Sequence, residues 1–143
     1  MHLRVRRGVT AIADHLRAVA RPLGLCLLGL AACVDATGGP PTGATCPPDG
    51  TTLTYDSFGA PFMATYCTRC HATTLRGADR QGAPLYHDFD YYGGVMAVAR
   101  HIDEWTGAGP DATNTQMPPD EPAPSLEERQ QLAEWLACEL ANR

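Results

Sequence analysis

The chain has 143 residues, room for one domain and too few for two. It contains no lysine, and five of its eleven arginines lie before residue 22. From Cys33 onward six arginines face fifteen carboxylates, a net charge near −9 with histidines neutral. That part has no basic patch for phosphate backbones, which argues against nucleic acid as a partner.

Residues 1–32 read as an export signal. An arginine-rich stretch is followed by an apolar run from Leu23 to Ala32, too short to span a bilayer but of the length a secretory signal uses. The run ends in Leu30-Ala31-Ala32-Cys33, which resembles the lipobox of bacterial lipoproteins. The resemblance implies that Cys33 becomes a lipidated first residue, anchoring the protein to a bacterial membrane on its periplasmic side. Cleavage after a small residue such as Ala36 would instead leave a soluble periplasmic protein. Cys26 lies inside the apolar run and needs no role beyond being apolar. Residues 33–52 are rich in Gly, Pro and Thr, with no helical or strand periodicity, and read as an extended tether.

The first helix is predicted from about Tyr55 to Cys70, with Phe58, Phe62 and Tyr66 on one face at four-residue intervals. Pro61 is tolerable only in a first turn, which moves the start toward Ser57. At its end stands Cys67-Thr68-Arg69-Cys70-His71. Cys-x-x-Cys-His is the attachment signature of a c-type haem: two thiols three positions apart meet two vinyl groups and become thioethers, and the next residue offers an imidazole to the iron. A zinc knuckle would need a second ligand pair of similar spacing, and Cys33, Cys46 and Cys138 are isolated. A thioredoxin-like dithiol would need a βαβ context, and no convincing strand precedes Cys67.

A second helix is predicted after Asp90, read as its N-cap, with Val95, Ala99 and Ile102 on the apolar side and a stop at Gly107 to Pro110. Gly93-Gly94 weakens its opening. A Gly/Pro/Thr-rich stretch then carries Asn114-Thr115-Gln116-Met117-Pro118-Pro119. The third helix opens with a capping box, Ser125 and Glu128, and carries Leu132, Trp135, Leu136 and Glu139 along one stripe. Glu127 and Glu128 sit in its first turn, where the helix dipole favours them.

From about Thr52 to Arg143 the chain resembles the class I cytochromes c at Gly59, Cys67, Cys70, His71, Met117, Leu132 and Trp135. The resemblance implies an all-α, cytochrome c-like fold over residues 53–143, with three main helices around one covalent haem. It implies that Gly59 lets the first and last helices cross closely beside an aromatic. Met117 would be the sixth iron ligand opposite His71, on a loop stiffened by its prolines. Neutral, soft thioether ligation favours reduced iron. His87 and His101 are the rival ligands, whereas Met63 and Met96 fall within helical segments and suit a core. The family also places a proline carbonyl behind the proximal histidine's free N–H, and Pro84 is the candidate here. The lysine-based docking surface of its best-known members has no counterpart in this chain.

In an oxidising compartment the remaining pair, Cys46 and Cys138, is expected to bridge, with two unpaired thiols as the alternative. Arg69, Arg76, Arg80 and Arg100 could each contact a haem propionate. No acid–base or nucleophile constellation stands out, so the leading expectation is an electron carrier rather than an enzyme. Its partners would be respiratory or periplasmic redox proteins, presenting a basic face if docking is electrostatic. The alternatives are a haem enzyme or gas or peroxide sensor in which Met117 dissociates, and a cytochrome subunit of a larger oxidoreductase.

Overall fold

A computed structural model of the chain describes residues 38–143; the export signal, Cys26 and Cys33 lie outside them. The described residues are all-α. They hold no β-strand, and only an isolated bridge pairs Ala108 with Thr113. No helix among them is long and apolar enough to cross a membrane.

Thr54 begins the helical region with a reciprocal cap: its hydroxyl accepts from the Ser57 amide at 3.1 Å, and the Ser57 hydroxyl accepts from the Thr54 amide at 3.1 Å. A π-type turn, Tyr55–Gly59, leads into helix α1, Ala60–Tyr66. Pro61 falls in the first turn of α1, where its missing N–H leaves no intrahelical bond unmade. Phe58, Phe62 and Tyr66 pack in sequence, the first pair tilted and the second edge-on, with ring centroids 5.5 and 5.0 Å apart. The helix ends sooner than the expected Cys70, because residues 67–71 curl into a tighter turn.

A short 3-10 turn, Gly77–Arg80, follows. The expected second helix is two helices, α2 (Tyr92–Ala97) and α3 (Ala99–Thr106), with Val98 at the break. Val98 leaves the helical conformation, with φ −129° and ψ 26°, and packs against the core. Asp90 does not cap α2. Its carboxylate instead accepts from the Thr73 amide and hydroxyl at 2.6 to 3.1 Å, and Tyr91 takes the N-cap position without a side-chain bond. Gly94 is required where it stands, because a Cβ there would lie 1.9 Å from the Asp88 carbonyl oxygen.

Helix α4, Leu126–Ala141, opens on the predicted Ser125/Glu128 capping box. Its inner stripe, Leu132, Trp135 and Leu136, joins Phe62, Met63, Phe89, Val95, Met96, Ala99 and Ile102 in one core. Each Leu-, Met- or Phe-sized side chain so buried contributes about 1.5–3 kcal/mol before chain entropy is counted. The indole of Trp135 is fully buried, and the backbone of Gly59 lies against its edge. Tyr66 ties α1 to the start of α4 through a 2.8 Å bond to Glu128.

The described part of the expected tether is not free. Buried Thr42 bonds both oxygens of Asp103 (2.7 and 3.0 Å), Gly39 donates to Glu104, and Asn114 donates to Pro40. Thr51 donates to Glu134 at 2.6 Å, and a disulfide joins Cys46 to Cys138 with Cα atoms 4.5 Å apart. The folded unit therefore begins by residue 38 rather than 53. Gly and Pro disfavour helix and strand interiors, but they do not prevent a coil from being packed and hydrogen-bonded.

Candidate functional site

Two free thiols and an imidazole are gathered on the turn that ends α1. Cys67 is its C-cap, donating to the Met63 carbonyl, and the amides of Cys70 and His71 both donate back to the Cys67 carbonyl. That turn brings positions 67, 70 and 71 to one end of the helix. All three are half-buried. Burial pushes the Cys67 thiol up to about 12, against the opposing pull of the Arg69 and Arg129 cations. At neutral pH it is therefore a thiol rather than a thiolate.

The His71 imidazole is fixed from two sides. Its ring stacks on Phe89, with centroids 4.5 Å apart and planes 10° from parallel. Its Nδ1 lies 3.0 Å from the carbonyl oxygen of His87. A carbonyl can only accept, so Nδ1 carries the proton and Nε2 keeps its lone pair for a metal. Burial lowers the pKa of His71, although its bond to His87 pulls the other way. The neutral ring that ligation needs is thus favoured.

The acceptor behind His71 is the carbonyl of His87 and not that of Pro84. The Pro84 carbonyl instead accepts from Arg80 at 2.7 Å. Sixteen residues separate His71 from its acceptor. His87 and His101 stack on each other, with centroids 5.9 Å apart, and His87 belongs to the segment on the Nδ1 side of His71.

Met117 is held by its backbone. Its amide donates to Trp105 at 2.9 Å, and its carbonyl accepts from Arg129 at 3.0 Å. Arg129 is 5% exposed and also donates to the carbonyls of Thr106, Asn114 and Pro124. Arg69, between the two cysteines, reaches the same loop: it donates to the Asp120 and Glu121 carbonyls and pairs with the Asp120 carboxylate at 2.6 Å. The loop that bears Met117 is therefore tied directly to the Cys-x-x-Cys-His turn.

Of the four arginines considered for propionates, Arg69 and Arg80 are committed to protein acceptors, and Arg76 donates to the Thr73 and Leu75 carbonyls. Arg129, Phe89 and the His87 carbonyl escape sequence reasoning. No motif marks them, since each acts through a contact made only on folding. Among the described residues no three His, Cys, Asp or Glu side chains converge on a metal-sized site. The donor chemistry does suit a covalent haem: two unbridged thiols, a neutral imidazole with its inner nitrogen satisfied, and a thioether on a braced loop. No family model, curated protein or solved structure matches the chain.

Proposed function

We propose that the protein is a monohaem c-type cytochrome with a cytochrome c-like fold, carrying electrons at the periplasmic side of a bacterial membrane. Cys67 and Cys70 would hold the haem through thioethers, with His71 and Met117 as its axial ligands. When bound, the haem supplies a one-electron iron couple. The observation that carries the reading is the set of two free thiols and an oriented imidazole on one turn.

The rest of the chain has work to do around that turn. Phe89 and the His87 carbonyl hold the His71 ring in one orientation and one tautomer, which limits reorganisation between redox states. Arg129 and Arg69 brace the segment that bears Met117. Residues 1–32 would direct export, and lipidation of Cys33 would keep the domain at the membrane. The acidic, lysine-free domain suits a redox partner with a basic face.

The test is an absorption spectrum of protein exported in a host with cytochrome maturation machinery, followed by extraction in acidic acetone. A sharp low-spin α-band on reduction, a far-red band on oxidation and haem retained on the chain are expected. Met117→Ala should abolish the far-red band, whereas His101→Ala should leave it. Covalent haem with a high-spin spectrum would move the function to ligand binding or catalysis. A haem-free product, with maturation working on a control, would overturn the proposal.

A further inference from the structure

The carbonyl oxygen of His87 accepts two donors at once: His71 Nδ1 at 3.0 Å and the Nη2 of Arg80 at 3.1 Å. Arg80 is 3% exposed. Its other bonds run to the carbonyls of Ala72 (3.0 Å), Ala83 (3.2 Å) and Pro84 (2.7 Å), and its Nη1 pairs with Asp88 at 2.7 Å. A buried guanidinium thus sits behind the imidazole, sharing the acceptor on which that imidazole depends. We infer that Arg80 is a positioning residue for His71 that limits the basicity of the ring and so keeps the reduction potential of the site high.

This inference rests on the haem reading above. A carbonyl that accepts strongly from Nδ1–H draws the imidazole toward imidazolate, and a more electron-rich ring stabilises oxidised iron. A cationic donor on the same oxygen competes for its electron density, since charge-assisted bonds are the stronger kind. The carbonyl then draws less on the Nδ1 proton, which stays more firmly on the ring; the ring donates less to iron, and the reduced state gains. Asp88 offsets the charge of Arg80, so the cation polarises the carbonyl without standing alone in a buried place. The His87 and His101 rings stack on each other close to this corner, and the Asp90 carboxylate also feels the charge of Arg80.

Arginine is the residue type this geometry demands. One planar fork reaches the carboxylate on one terminal nitrogen and two carbonyls, Pro84 and His87, on the other, which a lysine ammonium cannot reproduce.

The experiment measures reduction potentials of the haem-bearing protein. The charge-balanced double variant Arg80→Met/Asp88→Asn removes the competing donor without changing net charge. It should lower the reduction equilibrium constant about tenfold, which is about 59 mV for a one-electron couple. The His71 Nδ1–H proton resonance should move downfield, and the far-red band should be kept. The single variant Asp88→Asn leaves Arg80 uncompensated and should raise the constant about threefold or more. If the double variant does not fold, Asp88→Asn still tests the inference, because an unchanged or lowered constant in it overturns the role given to Arg80. An equilibrium constant within twofold of wild type in both, or lowered in both, overturns the inference while leaving the haem reading intact. Wild-type protein without haem overturns the haem reading and this inference with it.

Discussion

Replacing Arg129 by methionine keeps much of the apolar volume of that side chain and removes its donors. In the native protein its guanidinium serves the carbonyls of Pro124 (3.2 Å), Thr106 (2.9 Å), Asn114 (2.9 Å) and Met117 (3.0 Å). Thr106 and Asn114 are buried residues, and an acceptor left unsatisfied in such a place costs about 1–3 kcal/mol. Pro124 is buried as well, whereas Met117 is half-buried and its carbonyl can recruit water. Relief from burying a cation without a carboxylate partner offsets part of the loss. The net expectation is a destabilisation of about 3 kcal/mol, a large share of the 5–15 kcal/mol typical of a domain. Urea unfolding reads this directly: the midpoint should fall by about 1–3 M with an unchanged slope. In haem-bearing protein the far-red band should weaken, and Arg129→Lys should recover only part of either effect. A midpoint matching wild type would refute the view that this arginine braces the loop.

Gly59→Ala should cost about 1–3 kcal/mol, because a Cβ there would come within 2.6 Å of the ring of Trp135. That indole is fully buried and bonded to Glu139, so it has little room to yield; thermal unfolding at or above the wild-type midpoint would contradict this. Removing the Cys46–Cys138 bridge with paired alanine substitutions should cost about 4–5 kcal/mol from unfolded-state entropy alone, given the 92-residue separation. Residues 38–52 should then become the first segment cut by limited proteolysis, and intact resistance would argue otherwise. Acid should also destabilise the fold. Bonds from Ser125 and Tyr66 hold Glu128 below its ordinary value of 4.5. For Asp90 burial pushes upward, but bonds from Thr73 outweigh it and bring the group below 3.8. Depressed folded-state pKa values mean stability present above those pH values and lost as pH falls through the folded ones. Glu128→Gln should flatten the acid limb of a stability–pH curve, and an unchanged limb would count against the capping-box contribution.

Several features were legible in the residues because they are local. The Ser125/Glu128 box, the Phe58–Phe62–Tyr66 face and the Leu132–Trp135–Leu136 stripe are relations three or four positions apart. A helix realises such relations wherever it forms. The Cys-x-x-Cys-His turn is likewise a local object, and it gathers two thiols and an imidazole at one end of α1. Where reading failed, a tertiary contact had overridden a local preference. Asp90 has the chemistry of an N-cap, but Thr73 offers it three bonds. Val98 interrupts a pattern that reads as one helix, and it packs against the core at the break.

The acceptor behind His71 shows the limit most clearly. Any residue carries a backbone carbonyl, so nothing in the identity of His87 marks it for that place over Pro84. Arg80 reads in the sequence only as one of four candidate propionate contacts, and nothing marks Arg129, yet both are buried among carbonyl oxygens. Those around Arg80 lie three to eight residues away, and those of Thr106 and Asn114 reach Arg129 from 23 and 15 residues away. Residue types and short spacings therefore determined which groups are available for chemistry: two thiols, an imidazole and a thioether. The tertiary structure alone decided which of them are oriented, which tautomer the imidazole holds and what braces the loop of Met117, because those are properties of backbone atoms brought together by packing.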